Sequence, residues 1–140
     1  MRKYNCGEHP PIRDYGNEPF IFNIHHATNT NQNFRTTVWT GKYMQLTLMS
    51  IPVRCDIGAE MHCNVDQFIR IESGIAKVYM GSCRTNMREI TCADGNSAII
   101  IPAGTWHNII NVGNCPLKIY SIYTPPQHPF GTVNKTKEEA

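Results

Sequence analysis

The sequence lacks a long apolar run and an excess of either charge. No segment approaches the roughly 18 apolar residues of a membrane-spanning helix, and the first twenty residues carry charges and prolines where a secretion signal carries an apolar run. The 13 basic and 11 acidic residues form no basic stripe, which argues against nucleic acid or an anionic membrane as a partner. We therefore expect a cytoplasmic protein.

Paired cysteine motifs are also missing. None of the six cysteines stands in a C-x-x-C pair, which argues against a zinc ribbon or a thioredoxin-type site. A chain of 140 residues can bury a core without disulfide bonds, and a cytoplasmic protein has little use for them. We expect all six cysteines to be free thiols.

Amphipathic windows of helical length are scarce, whereas short runs rich in β-branched and aromatic residues repeat from about residue 34 onward. Glycine, asparagine, aspartate and proline separate these runs and mark turns. The pattern predicts an all-β sandwich or barrel in one domain. The expected strands are residues 34–40, 43–51, 67–73, 75–80, 88–92, 97–101, 107–112 and 117–123.

Residues 1–33 are more polar and more turn-like than the rest of the chain. Within them, residues 19–24 predict one further strand, and a short helix is expected near Ala27. The neighbours His25 and His26 are interpreted as surface residues, because adjacent strand residues point to opposite faces and cannot both reach one ion.

The stretch Gly58–Phe68, GAEMHCNVDQF, concentrates side chains that bind metals or move protons. If residues 60–64 are extended, Glu60 and His62 project from one face with Cβ atoms about 6.6 Å apart. On a helix the same residues would diverge by about 200°. Glu60 and His62 therefore predict a chelating pair, while Cys63 points the other way and is expected to be a small buried hydrophobe.

Two further residues complete the candidate site. Gln67 opens the next strand and can return to the same face if the two strands are hairpin neighbours. Asp66 remains an alternative ligand, although its turn position favours a bond to its own backbone. His107 begins a later strand after a turn. The set Glu60, His62, Gln67 and His107 suits one divalent ion, such as zinc, iron, manganese or nickel, with a position left open.

Two segments, GAEMHCNVDQFIRIESG and DGNSAIIIPAGTWHNIIN, resemble the two motifs of the cupin superfamily. The matching positions are a histidine and the closing glycine of the first motif, and a proline, a glycine, a histidine and an asparagine of the second. In this sequence they are His62, Gly74, Pro102, Gly104, His107 and Asn111.

The first motif departs from the usual cupin pattern at two positions. Glu60 stands where most cupins have their first histidine, and Gln67 stands where they have glutamate. The carboxylate and a neutral ligand have traded places, so the candidate site keeps one anionic ligand.

The resemblance implies a single-domain cupin, which is a double-stranded β-helix or jelly-roll barrel. An irregular arm is expected at residues 1–33, partly packed on the barrel. The barrel and its short C-terminal tail are expected at residues 34–140. The chain from about Pro19 is similar to small bacterial cupins commonly labelled mannose-6-phosphate isomerase-like. This implies a metal-dependent sugar or sugar-phosphate isomerase, a small-molecule ligand such as a carbohydrate, and a homodimer.

The residues leave other functions open. Two histidines and one carboxylate approximate the facial triad of non-haem oxygenases, and a site of this kind can also bind metal or a small molecule without catalysis. A phosphosugar needs a cationic anchor. The candidates Arg54, Arg70, Lys77 and Lys118 are scattered along the chain.

Three more side chains are weaker candidates for substrate binding. Tyr120 and Tyr123, on the last predicted strand, could reach the cavity as hydrogen-bond donors. The tail from His128 to Lys137 is expected to fold over the barrel or a neighbouring subunit, which makes His128 a candidate group beside the metal ligands.

Overall fold

The structure, a computed structural model, describes residues 5–140. All eight predicted strands are present, with ends within two residues of the expected ones, and no helix of the described chain is long and apolar enough to cross a membrane. The helix α1 spans Ile24–Thr30, and short 3₁₀ helices span Arg84–Asn86 and Lys137–Glu139. The strands are β1 (Arg35–Thr40), β2 (Gln45–Ile51), β3 (Asp66–Ser73), β4 (Ala76–Gly81), β5 (Arg88–Ala93), β6 (Ala98–Ile101), β7 (Trp106–Asn111), β8 (Leu117–Thr124) and β9 (Val133–Asn134).

The strands form two antiparallel sheets. One has the order β6-β3-β8-β2-β1-β9, and the other has the order β5-β4-β7. Alternate residues of the strands are buried between the sheets and make one apolar core, which includes Ile69, Ile71, Ile109 and Ile119. This arrangement confirms the predicted all-β jelly roll.

The inner face of the six-stranded sheet changes character along its strands. Ile51 faces Leu117 at one end, whereas Gln45 faces Tyr123 at the other, and Gln67 faces Tyr123 from the opposite side. Facing residues of an antiparallel pair project to the same side of the sheet. The barrel therefore has an apolar end and a polar end, and the candidate site lies at the polar end.

The outer face of the same sheet is covered by the N-terminal arm, whose first four residues lie outside the described part of the chain. The prediction of a strand at residues 19–24 is wrong: that run is irregular, and its aromatic residues pack on the outer face. The Asn23 side chain then accepts from the backbone N–H of His26 and begins α1. Ala27 of this helix packs in the outer cluster with Leu48.

The cysteines are free thiols, as predicted. Cys63, however, is exposed rather than buried. The chain turns at residues 63 and 64, so the extended segment that would have pointed this side chain into the core ends before it. The Cys63 Sγ instead lies 3.6 Å from the Sδ of Met61.

Candidate metal centre

Glu60 and His107 are joined by their backbones as well as by their side chains. Glu60 N–H donates to His107 O at 3.0 Å, and His107 N–H donates to Glu60 O at 2.9 Å. This isolated antiparallel bridge lies beside β7. It places both side chains on one face, with His107 Nε2 3.3 Å from Glu60 Oε1.

His62 follows two residues after Glu60 and is held by a separate contact. Its carbonyl accepts from Gly104 N–H at 2.8 Å, and its Nε2 lies 3.5 Å from Glu60 Oε1. One ligand atom from each of Glu60, His62 and His107 lies within 4.8 Å of the other two. The structure thus brings together three of the four predicted ligands in a metal-sized cluster.

Hydrogen bonding assigns the tautomer of His107. Its Nδ1 lies 3.0 Å from the carbonyl oxygen of Thr105, which can only accept, so Nδ1 carries the proton and Nε2 of the neutral ring has a lone pair. Nε2 faces a carboxylate oxygen of Glu60. It donates to that oxygen when the ring is protonated, and in the neutral ring it is free to bind a cation together with the carboxylate; a carbonyl bound to the far nitrogen is the usual setting of a metal-ligating histidine.

Glu60 is held as a carboxylate. Burial raises its pKa, but the hydrogen bonds and charges of His107 and His62 outweigh burial and bring the pKa down to about 2. An ionised carboxylate beside two imidazole nitrogens is a donor set that suits zinc, iron, manganese or nickel.

Gln67 and Asp66, the two alternatives for a fourth ligand, occupy different environments. Gln67 is buried, its Nε2 donates to Ser121 Oγ at 3.3 Å, and its Oε1 is buried without a hydrogen-bond partner among the described residues. Asp66 is exposed, and its Oδ1 accepts from Ala103 N–H at 2.9 Å. The prediction that the Asp66 carboxylate bonds to its own backbone is wrong: it accepts from the turn at Ala103, far away in the sequence.

Tyr123 and His128 lie next to the histidine pair. The Tyr123 ring is buried and meets the rings of His62 and His128 edge-on, with centroid distances of 5.8 and 5.2 Å. The side chain of Gln45 fixes His128, because its Nε2 donates to His128 O at 2.8 Å and its Oε1 accepts from His128 N–H at 2.9 Å. Burial raises the pKa of Tyr123 to about 12, so its phenol keeps its proton.

The two tyrosine candidates face opposite ways. Tyr120 lies on the outer side of β8, in the cluster beneath the N-terminal arm, with its ring 6.4 Å from that of Phe68. Residues an odd number of positions apart on a strand project to opposite faces. The prediction that Tyr120 reaches the cavity is therefore wrong, whereas Tyr123 lies at the candidate site.

The predicted cationic anchors do not face the candidate metal centre. They lie in an exposed turn or at the outward-facing positions of strands: Arg54, Arg70, Lys77 and Lys118. Arg70 on β3 forms an ion pair with Glu72 instead, and Lys77 on β4 forms one with Glu89.

Sequence reasoning did not single out Arg35, a buried arginine near the site. It is 7% exposed, and its charge acts on both Tyr123 and His128. Polar and apolar residues do not alternate along β1 (RTTVWT), and a register shift between Thr37 and Trp39 breaks the period of two. No sequence signal separates an inward Arg35 from a solvated one.

His25 and His26 do not share a site. Both lie in α1 rather than on a strand. The Nδ1 of His25 lies 2.7 Å from Glu72 Oε2, whereas the ring of His26 stacks on that of His9 at 3.6 Å.

Comparison with known proteins agrees with this architecture. Residues 47–123 match the family described as Cupin domain. The uncharacterised protein YrkC of Bacillus subtilis is 55% identical over 92% of this chain and 69% of its own length. An uncharacterised protein of Acanthamoeba polyphaga mimivirus is 37% identical over 89% of this chain and 76% of its own.

A solved structure is similar over nearly the whole fold. The crystal structure of a protein from Bacillus halodurans is 50% identical, covers 91% of this chain and 97% of its own, and superposes with a TM-score of 0.87. Together with the family match and the two relatives, it establishes that the chain belongs to the cupin family.

Proposed function

We propose that the protein binds one divalent metal ion through Glu60, His62 and His107, with Gln67 as a fourth donor, and binds a small molecule at the open position. The observation that carries this proposal is the convergence of three ligand atoms: Nε2 of His107 and Nε2 of His62 lie 3.3 and 3.5 Å from Glu60 Oε1, and one ligand atom of each residue lies within 4.8 Å of the other two. A cation satisfies all three groups at once.

The buried oxygen of Gln67 supports the fourth donor. Its amide nitrogen is engaged by Ser121, and this fixes the orientation in which Oε1 is free to bind a cation. A bound divalent ion would supply Lewis acidity to polarise an oxygen of the ligand. The protein residues would hold the ligand against it and move protons.

Isomerisation of a sugar or sugar phosphate, the reaction of the mannose-6-phosphate isomerase-like group, is the first candidate activity. Aldose–ketose conversion needs a base next to the polarised carbonyl. His128 is the candidate for this role by its free nitrogen: burial, aided by the charge of Arg35, lowers its pKa to about 4, so the ring is neutral and a weak base, and its Nε2 is buried without a hydrogen-bond partner in the described chain. The Tyr123 phenol beside it remains a proton donor.

Oxygen chemistry is the second candidate activity, and the donor set itself favours it. Two histidines and one carboxylate with open positions match the facial triad of non-haem iron oxygenases. A role in ligand or metal binding without turnover is the third candidate. Metal identity separates the first two, because iron favours the oxygenase and zinc or manganese favours the isomerase.

Metal analysis of protein purified without an affinity tag tests the proposal. We expect about one equivalent of a divalent ion in the wild type and a loss of most of it in His62→Ala and in His107→Ala. His25→Ala, which removes an exposed histidine outside the site, serves as the matched control and keeps its metal. Equal metal content in all four proteins would refute the site. Oxygen consumption, or ketose formation from mannose 6-phosphate, then distinguishes the activities.

A further inference from the structure

Arg35 projects into the interior of the barrel. Its neighbour Thr36 faces Leu48, which packs in the outer cluster beneath the arm. Successive strand residues alternate between faces, so Arg35 belongs to the inner face. The influence of its charge on Tyr123 and His128 places the guanidinium near the two rings that border the metal centre.

The charge of Arg35 has no carboxylate partner among residues 5–140. Its Nη1 donates to Asn134 Oδ1 at 3.2 Å, and its guanidinium lies 5.6 Å from the centroid of the Phe34 ring. Its Nε is buried and has no hydrogen-bond partner within residues 5–140. No ion pair joins it to a carboxylate in that part of the chain. A buried cation without a counterion is costly to maintain.

We propose that Arg35 is the anion anchor of the site and that its ligand is a small organic acid. The carboxylate of this acid pairs with Arg35, and an oxygen at its other end takes the open position of the proposed metal site. The inference rests on the proposed function only for the metal-binding end. Its anionic end follows from the unpaired guanidinium itself.

A carboxylate fits the free part of this guanidinium. Asn134 occupies Nη1, which leaves the side edge of the fork, where Nε lies. Carboxylates bind that edge through two parallel hydrogen bonds. The neutral ring of His128 and the phenol of Tyr123 respond to the charges of both Arg35 and Glu60 and lie against each other, so they can supply polar contacts for the middle of a short acid.

Calorimetric titration with a series of linear dicarboxylates, malonate, succinate and glutarate, tests the proposal. Zinc-loaded and chelator-treated forms of the wild type, Arg35→Gln and Arg70→Gln are compared. We expect at least one acid to bind the wild type, Arg35→Gln to weaken that binding by at least about tenfold, and Arg70→Gln, on the outer face, to leave it unchanged. Removal of zinc weakens binding, but the dependence on Arg35 remains.

The two proposals fail in different ways. If the protein holds no metal, the metal proposal fails, and binding of an acid that still depends on Arg35 keeps the anion anchor. If none of the acids binds, if Arg35→Gln binds them as the wild type does, or if mannose 6-phosphate binds in their place, the carboxylate inference is overturned.

A measurement on the wild type covers the case in which Arg35→Gln does not fold. The side-chain Nε–H signal of Arg35 in the nitrogen-15 NMR spectrum is expected to shift on addition of the bound acid, because the new hydrogen bond forms at that atom. The signal of Arg70 serves as the control and stays in place. An unchanged Arg35 signal at saturating acid would overturn the inference.

Discussion

His107 Nε2 lies 3.3 Å from Glu60 Oε1, although the two residues are 47 positions apart in the sequence. Two backbone hydrogen bonds between the same residues hold this pair at the edge of β7. A site built on paired backbone is more precisely positioned than one carried by a free loop. The side chains of the proposed metal centre are therefore held close together by the fold itself.

The fourth metal ligand is predicted to be Gln67 and not Asp66. Gln67→Ala removes the buried oxygen that lacks a partner and should lower affinity for zinc by about tenfold or more. Asp66→Asn changes an exposed group that binds Ala103, and affinity should stay within about twofold. Competition titration with a chromophoric chelator measures both. A larger loss in Asp66→Asn than in Gln67→Ala would assign the ligand to Asp66.

Asp14 should stabilise the fold in a pH-dependent way. Burial raises its pKa, but hydrogen bonds from Thr40, Gly131 and Gly16 outweigh burial and hold the pKa below the usual value of 3.8. A depressed pKa contributes stability that is present above the unfolded pKa and is lost as pH falls through the folded pKa. Asp14→Asn should therefore cost about 2 kcal/mol near neutral pH, and this cost should shrink at acid pH, where the wild type loses the contribution of its carboxylate.

Urea unfolding of wild type and Asp14→Asn between pH 7 and pH 2.5 measures this difference. The two free energies of unfolding should begin to approach each other below the unfolded pKa of about 3.8 and converge as pH falls through the lower folded pKa. Glu18→Gln, an exposed change in the same arm, is the control and should stay within about 0.5 kcal/mol of the wild type. A constant gap between wild type and Asp14→Asn at every pH would contradict the prediction.

Gly74, the closing glycine of the first motif, should tolerate alanine less well than Gly104 does. Gly74 has φ +106°, and an added Cβ would lie 3.0 Å from the Cα of Leu117. Gly104 has φ +83°, but an added Cβ would meet nothing within 4 Å. Gly104→Ala should cost about 1–2 kcal/mol from backbone strain alone. Gly74→Ala adds a clash with the backbone and should lower the free energy of unfolding further. Chemical denaturation of both variants measures the two losses, and a larger loss in Gly104→Ala would contradict the prediction.

Much of the barrel was predictable because strands carry their own signals. Period-two burial and turn residues between strands are local properties, so the eight strands could be located from sequence. The same alternation predicted that Glu60 and His62 share a face. His107 could also be predicted, because the turn and the strand around it match the spacing of the second cupin motif.

The remaining errors have physical causes that sequence does not show. The aromatic residues at 19–24 alternate as in a strand, yet they pack on a sheet face without a backbone partner. The inward direction of Arg35 could not be predicted, because a register shift interrupts the alternation of faces in β1. The mannose-6-phosphate isomerase-like assignment, the homodimer and the cytoplasmic location stay predictions, since each depends on a ligand, a second chain or a cell that the fold of one chain does not contain.

Anomalous diffraction from a crystal of the zinc-loaded protein, recorded on both sides of the zinc absorption edge, tests the metal centre most directly. We expect one peak about 2.0–2.2 Å from Nε2 of His62, Nε2 of His107 and a carboxylate oxygen of Glu60. An absence of density there, or a peak held only by surface histidines such as His25, would contradict the proposed metal centre.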